Sequence, residues 1–378
     1  MKFYKISNQN PIELFNKIGS DDVGAKIMAK KANSHLLYIK DMHVGAANIL
    51  KQDALSIGAD LAVPIGTILA KDKYVDCILM GTTKHFELLS KKELAQPFGL
   101  KELANELKSF TIIPKFKNKI MGVINANDDS FFSQSRFKDI DAIKKIETMI
   151  KDGADIIDIG GVSSRPGSDV VSDVEELKRI KPICDLIKEK KLYKKALFSI
   201  DSYTPLVVEY ALKSGFKIVN DITGLKNDSV AKLVSSYKAT VVIMHMQGIP
   251  QTMQENPTYE NIISDIDDFF RNRISKAKKF GIENIILDVG IGFGKTLEHN
   301  LLLLKNMEHF THFGYELLIA ASRKSMIDKV VPSKVEDRLP GTLAIHLDSL
   351  NKGATIVRTH DVKEHFQAIK LQEAINNI

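Results

Sequence analysis

ALFSIDSYTPLVVEYALKSGFKIVNDIT, residues 196–223, holds one structural unit and the start of the next. It opens with a short apolar run, ALFSIDS (196–202), that ends on an acid, Asp201. Thr204-Pro205 follows, an N-cap residue and then a proline whose fixed φ suits the first position of a helix. Gly215 supplies the stop, because glycine enters a left-handed turn without a steric penalty. The next apolar run, KIVNDIT (217–223), again ends polar, at Asn220 and Asp221. The order is strand, helix, strand.

Outward from this stretch the same unit repeats from about Lys119 onward. The runs are KIMGVIN (119–125), DIIDIGG (155–161), TVVIMHM (240–246), NIILDVG (284–290), ELLIAASR (316–323) and ATIVRTHD (354–361), with the two above. Their apolar residues are nearly continuous, as in parallel strands covered on both faces. Between them lies helix punctuation. Ser172 with Glu175 reads as a capping box, followed by Val174, Leu177, Ile180, Ile183 and Ile187 on one face. Ser333 with Glu336 and Asp361 with Glu364 repeat the signature, and Gly153, Gly281 and Gly353 each precede a strand. Eight such units over about 260 residues match an α/β (β/α)₈ TIM barrel, whose usual length is ~250. An open doubly wound sheet is the alternative.

The expected division is a barrel over 111–378 and a small α+β domain over 1–110. In the latter, HLLYIKD and DLAVP read as strands around a helix, AANILKQDALSIG, with KELANELKSF as a last helix before the link TIIPKFKN. No catalytic constellation stands out there; its apolar residues read as an ordinary core, with a role in assembly as a guess.

The totals narrow the class. Hydrophobic residues make up 44% and charged ones 26% of 378, an ordinary globular balance. The net charge of +6 is scattered, which suits anionic small substrates and gives no basic face for nucleic acid. Cys77 and Cys184 fit neither a disulfide framework nor a metal-ligand spacing. The opening MKFYKISNQNPIEL lacks a signal-peptide core, and no apolar run approaches ~18 residues, so a cytoplasmic protein with no membrane partner is expected.

A (β/α)₈ barrel carries its active site at the C-terminal ends of its strands. Those ends read Asn125, the Gly160–Gly167 loop, Asp201, Asn220-Asp221, His245, Asp288, Arg323-Lys324, and Arg358 with His360. The loop after Asp288, DVGIGFGKT, looks like a phosphate loop, but a P-loop needs a glycine five residues before Gly294 and finds Val289. Carboxylates and an amide held on strands suit a flat heterocycle, since one carboxylate accepts two adjacent donors of an aminopyrimidine edge. For each acid alone, capping its own loop is the plain alternative. Arg358 and His360, two apart on one strand, point to one side and with Asn125 suit a diphosphate, directly or through Mg²⁺. Arg165 lies on a loop, GGVSSRPGS, suited to closing over the mouth. Ordinary salt bridges are the plain alternative for the arginines.

NANDDSFF, DIGGVSSRPG, SIDSY, IVNDITG, VVIMHMQG, LDVGIGFGKT, ASRKSM and VRTHDV together resemble the dihydropteroate synthase family, in order and spacing, over about residues 115–375. The resemblance implies a transferase of folate biosynthesis that joins 6-hydroxymethyl-7,8-dihydropterin diphosphate to 4-aminobenzoate, releasing diphosphate and 7,8-dihydropteroate. By that likeness Asp201, Asn220, Asp288 and Lys324 hold the pterin, lined by Ile222, Met244 and Phe293. Asn125, Arg358 and His360 hold the diphosphate, and Asn125 meets Mg²⁺. Ser164, Arg165 and Pro166 with Lys324 and Ser325 shape the aminobenzoate site, and Asp129 and Phe131 belong to a first loop that completes it. Arg358, His360, Asp201 and Lys324 are the expected catalytic residues, and a homodimer is implied. The reaction then needs no protein nucleophile: diphosphate leaves first, and the pterin carries the positive charge left on its CH₂.

The first loop departs from the family pattern, with Asn127-Asp128 and Gln134-Ser135 where a Thr-Pro pair and two glycines are usual. Ser164 stands for a usual threonine and Val289 for a usual proline. Two rivals stay open: a pterin-dependent methyltransferase, which needs no diphosphate site, and a catalytically silent pterin-binding or scaffold protein.

Overall fold

Every apolar run of the repeat becomes a strand, because a run apolar on both faces is stable only when covered on both. The computed structural model describes residues 1, 2, 4, 11–111, 115–126, 135–162 and 171–376. It divides into two compact units, Met1–Pro114 with His312–Gly314, and Lys115–Thr311 with Tyr315–Ile378.

The first unit contains α1 (Pro11–Lys17), α2 (Asp22–Ala32), β1 (Ser34–His43), α3 (Val44–Ser56), β2 (Asp60–Ala62), β3 (Tyr74–Thr82), α4 (Thr83–Lys92) and α5 (Leu100–Ser109). Its strands form an antiparallel sheet in the order β1-β3-β2. Leu50, Leu61, Leu79, Phe86, Leu89 and Leu107 pack as its core. The central strand β3 and helix α4 are absent from the sequence reading. Alternation in YVDCILMGT is masked because Tyr74 and Ile78, on the outward face, are themselves apolar and exposed.

The second unit runs β4 (Lys119–Asn125), α6 (Ser135–Lys151), β5 (Ile156–Gly160), α7 (Asp173–Glu189), β6 (Leu197–Asp201), α8 (Pro205–Lys213), β7 (Ile218–Asp221) and α9 (Asp228–Ser236). It continues with β8 (Thr240–Met244), α10 (Ile262–Lys279), β9 (Ile285–Asp288), α11 (Leu297–Lys305), β10 (Glu316–Ile319), α12 (Ser325–Val330), α13 (Leu339–Asn351), β11 (Ile356–Thr359) and α14 (Val362–Asn376). All eight strands pair in parallel as a closed barrel, β10-β11-β4-β5-β6-β7-β8-β9. The β11–β4 pairing closes the ring, so the open doubly wound sheet is set aside.

One interior layer of the barrel is Met121, Ile156, Ile218, Val242, Ile286, Leu318 and Ile356. Branched and long apolar side chains from successive strands fill the ring, as a packed core requires. The helices stop where glycine permits it: Gly153, Gly215, Gly281 and Gly353 all have positive φ. Local signals differ in detail. Ser172 caps α7 through Glu175 N–H, yet Val174 is exposed and the buried face is Ile180, Ile183, Cys184 and Ile187. Thr204 precedes Pro205 as expected, but its hydroxyl donates to Glu176 rather than capping α8. The Asp361 carboxylate is taken by Arg323, while the 3-10 turn from Val335 follows Lys334 and the Ser333 hydroxyl has no partner among the described residues. Among the described residues no helix is long and apolar enough to cross a membrane.

Candidate active site

Strand side chains alternate, so two residues beyond an inward-facing position the next one faces inward too. Beyond Ile156, Ile218, Val242, Ile286 and Ile356 stand Asp158, Asn220, Met244, Asp288 and Arg358. A polar layer therefore rests directly on the apolar one, at the C-terminal end of the barrel. Register adds Asp201, which pairs with Gly160 on one side and Asn220 on the other.

Arg358 organises this layer. Its Nε donates to Asp158 Oδ2 at 2.7 Å and its Nη2 to Asp201 Oδ2 at 2.8 Å. Asn220 Nδ2 donates to the same Asp158 oxygen at 3.1 Å. Asp158 Oδ1 and Ser199 Oγ, cross-strand neighbours in the register, are buried with no hydrogen-bond partner among the described residues. Asp158 was not singled out from the sequence. The available signal was an acid in the middle of an apolar strand, a place that demands a partner.

Electrostatics follow from burial. Burial pushes the Asp201 carboxyl up to about 7, against the pull of Arg358 and with the help of Asp158. Asp288 is raised by burial, opposed by the Gly290 N–H that donates to its Oδ1 at 2.7 Å and by Lys324. Burial lowers Lys324 to about 8, with Asp288 opposing. Burial also works against the Arg358 cation, but Asp158 and Asp201 outweigh it and raise the group. Three carboxylates thus face two cations around one space. The imbalance favours a ligand rich in N–H donors.

Lys324, the residue before α12, donates to Ile291 O and lies 4.6 Å from the Phe293 ring centroid. Met244 and Ile222 are buried and Phe293 is half-buried. Asn125 ends β4, half-buried and level with Gly160. Ser325 is the exposed first residue of α12. His360 stands just past β11, exposed, with Nδ1 3.0 Å from Ser322 Oγ. Arg358 therefore reaches inward to the carboxylates while His360 stays at the rim. Asp129, Phe131, Ser164, Arg165 and Pro166 lie outside the described residues.

Two neighbours of the site have structural work. Asp221 accepts from Thr223 N–H, Thr223 Oγ1 and Leu225 N–H, which is the plain loop-binding alternative. Lys295, buried, spends its donors on His245 Nδ1 at 2.9 Å, His245 O at 3.2 Å and Phe293 O at 2.9 Å. It fastens the loop after β9 to the loop after β8 and does not wrap a phosphate. Gly290 and Gly294, both at positive φ, are needed because a Cβ at either meets the carbonyl oxygen of His245 or Gln247.

The sequence profile of the pterin binding enzyme family matches residues 121–360. The bifunctional dihydropteroate synthase/dihydropteroate reductase of Helicobacter pylori is 40% identical over 374 residues, 98% of each chain. The dihydropteroate synthase of Haemophilus influenzae is 39% identical over 262 residues, 68% of this chain and 94% of its own. A crystal structure of Yersinia pestis dihydropteroate synthase with a sulfonamide drug complex superposes with a TM-score of 0.65 at 34% identity, covering 69% of this chain and 95% of that one. The polar layer inside the barrel, the profile match across it and these relatives agree: the chain belongs to the pterin-binding enzyme family, among the dihydropteroate synthases.

Proposed function

We propose that the chain condenses 6-hydroxymethyl-7,8-dihydropterin diphosphate with 4-aminobenzoate, giving 7,8-dihydropteroate and diphosphate. The observation that carries the reading is the layer of buried Asp158, Asn220 and Asp288 and half-buried Asp201 beside Lys324 and Arg358. A pterin presents an aminopyrimidine edge with adjacent N–H donors. Asp288 and the unpartnered oxygen of Asp158 are the acceptors for it, and Asn220 supplies both donor and acceptor. Lys324 donates to a ring carbonyl or nitrogen, over the Phe293 face. Ile222 and Met244 close the apolar sides.

The C–O bond to diphosphate breaks with its electron pair leaving on oxygen. The resulting CH₂ cation is conjugated into the electron-rich pterin, and ionised Asp201 favours it. The aminobenzoate nitrogen then forms the C–N bond and releases its proton to solvent. Arg358 and His360 act on the departing phosphates, where negative charge develops. Ser164, Arg165, Pro166, Ser325, Asp129 and Phe131 are proposed for the aminobenzoate side. Magnesium fits the donor set, since the Asn125 amide oxygen at the mouth leaves most positions to water and phosphate, as Mg²⁺ prefers. When bound, Mg²⁺ supplies positive charge to the phosphate oxygens. We place the reaction in the cytoplasm, where two buried thiols stay reduced, and expect a homodimer.

The test mixes the protein with both substrates and Mg²⁺ and measures diphosphate release. Release that depends on 4-aminobenzoate supports the reading, and none overturns it. Arg358→Met separates the rivals: turnover falls at least ~100-fold, as loss of transition-state charge stabilisation does, while dihydropterin still binds. Unchanged turnover removes the diphosphate role, and a covalent enzyme–pterin adduct on the path removes the dissociative mechanism.

One observation favours a second activity. The Haemophilus synthase spans 94% of itself but 68% of this chain, whereas the relative named as bifunctional spans 98%. By subtraction, we propose that residues 1–114 serve a dihydropteroate-reducing step. That step delivers hydride from a dihydronicotinamide-class donor to C6 and a proton to N5. NADH or NADPH oxidation that requires added dihydropteroate tests it.

A further inference from the structure

Two buried histidines link the loop that carries Lys324 to the turn that follows Arg358 on β11, and the mechanism above does not use them. His346 lies on α13 and His365 on α14, and both side chains are enclosed. His346 Nε2 is 3.1 Å from the Ala321 backbone nitrogen. A backbone N–H only donates, so Nε2 is the bare ring nitrogen and the proton of His346 sits on Nδ1. That nitrogen is 2.9 Å from His365 Nε2, which must therefore accept. The His365 proton is then on Nδ1, 2.6 Å from the Asp361 carbonyl oxygen and 3.2 Å from Thr359 Oγ1. Every direction is determined: Ala321 N–H to His346, His346 to His365, His365 to Asp361 O.

Both rings are neutral in this arrangement. A proton added to either Nε2 would face another N–H, and burial lowers the pKa of both rings. The relay starts three residues before Lys324 and ends three after Arg358. Outer braces tie the same segments: Arg323 forks onto Asp361 at 2.9 and 2.8 Å, and Ser322 Oγ holds His360 Nδ1. Arg323 itself has φ +53°, a left-handed conformation a non-glycine residue keeps only when its surroundings enforce it. Its N–H donates to Thr342 on α13 at 2.9 Å, one turn before His346.

We infer that His346 and His365 are positioning residues, a neutral two-imidazole strut that sets the loop bearing Lys324 against the strand end bearing Arg358 and His360. The inference rests on the synthase reading for its consequence, and on geometry alone for the strut.

Nitrogen-15 spectra of histidine-labelled wild-type protein test the strut without any variant or substrate. Both rings are expected as neutral Nδ1–H tautomers at pH 7; a proton on Nε2 of either overturns the proposal. Kinetics test the consequence. His346→Leu keeps bulk but removes both bonds, and is expected to lower kcat about tenfold with KM for the pterin diphosphate nearly unchanged. His346→Gln, whose amide offers one acceptor and one donor, is expected to restore most of it. A His346→Leu protein that melts lower but turns over at the wild-type rate would make the pair merely structural and sink the inference. Absence of diphosphate release from wild type overturns the synthase reading instead, and leaves the spectra to decide the strut.

Discussion

Glu93 in the core of the first unit and Asp158 in the inner layer of the barrel answer burial in different ways. In the first unit Glu93 is enclosed, and burial beside the charge of Asp53 pushes its carboxyl up to about 7, so it escapes the cost of a buried charge by holding a proton. In the barrel Asp158 is equally enclosed but shares one oxygen between Arg358 and Asn220. A buried ion costs several kcal/mol to desolvate, and a well-packed apolar set usually does as well or better. A barrel selected only for stability would place leucine or valine where Asp158, Asp201 and Arg358 stand. Their presence marks a layer shaped for a ligand, on top of a layer shaped for packing.

Removing one member of the paired layer is the harshest way to break this contrast. Arg358→Met leaves Asp158 and Asp201 facing each other without a cation. Loss of one partner from a buried pair costs ~3–5 kcal/mol, read by denaturant unfolding. A cost under ~1 kcal/mol would put the network in the range of exposed pairs and erase the distinction drawn here.

Backbone comes next. Gly290→Ala adds a Cβ at φ +66° against the His245 carbonyl, which cannot retreat without disturbing Lys295. The expected cost is ~1–3 kcal/mol from strain alone. Gly99, also at positive φ but with its neighbours distant, gives a milder reference in the first unit. Equal losses at both positions would show that φ, not the loop-to-loop contact, dominates.

These two positions also show what a sequence conveys. The eight strands were legible because parallel strands are apolar throughout and end abruptly in polar residues; KIMGVIN matches β4 residue for residue. Asp201, Asn220, Asp288 and Lys324 were legible as strand ends of a barrel. Asp158 was not, because attention to strand ends passes over an acid two residues earlier, and its partner Arg358 is 200 residues away. The inward course of Arg358 and the outward course of His360 were illegible for a related reason: the strand stops at Thr359, so alternation no longer governs His360. The spacing ruled out a phosphate loop around Lys295, but nothing local reveals that three acceptors converge on it. In the first unit β3 was hidden by apolar residues on its exposed face.

A titration separates the layer's two tasks. Burial holds the Asp201 proton in the folded protein up to about pH 7, whereas an unfolded aspartate releases it near its ordinary 3.8. The folded state thus binds more protons between these values, and this group's contribution to stability, complete below the lower value, is lost as pH rises through about 7. Pterin binding should move the other way, since an ionised Asp201 accepts donors and favours a cation. Affinity is expected to rise about tenfold per pH unit below 7, a rise absent from Asp201→Asn, and to fall in both proteins above about 8 as Lys324 loses its proton. A wild-type profile flat from pH 5.5 to 8.5 breaks the assignment.

The smallest effect is as informative as the largest. Lys30 Nζ lies 2.6 Å from Glu87 Oε1, shorter than the barrel's Arg358 contacts, yet its side chain is 46% exposed and that of Glu87 26%. By distance alone this pair should be the stronger. By solvation it should be weak, because water screens both charges and two long side chains lose freedom in meeting. Lys30→Ala is therefore expected to shift unfolding by ~0.5 kcal/mol or less, and added salt to shrink that difference further. A loss above ~1 kcal/mol would mean that short distance outweighs exposure. The buried layer would then need no functional explanation, since ion pairs anywhere in the chain would be stabilising enough to account for it.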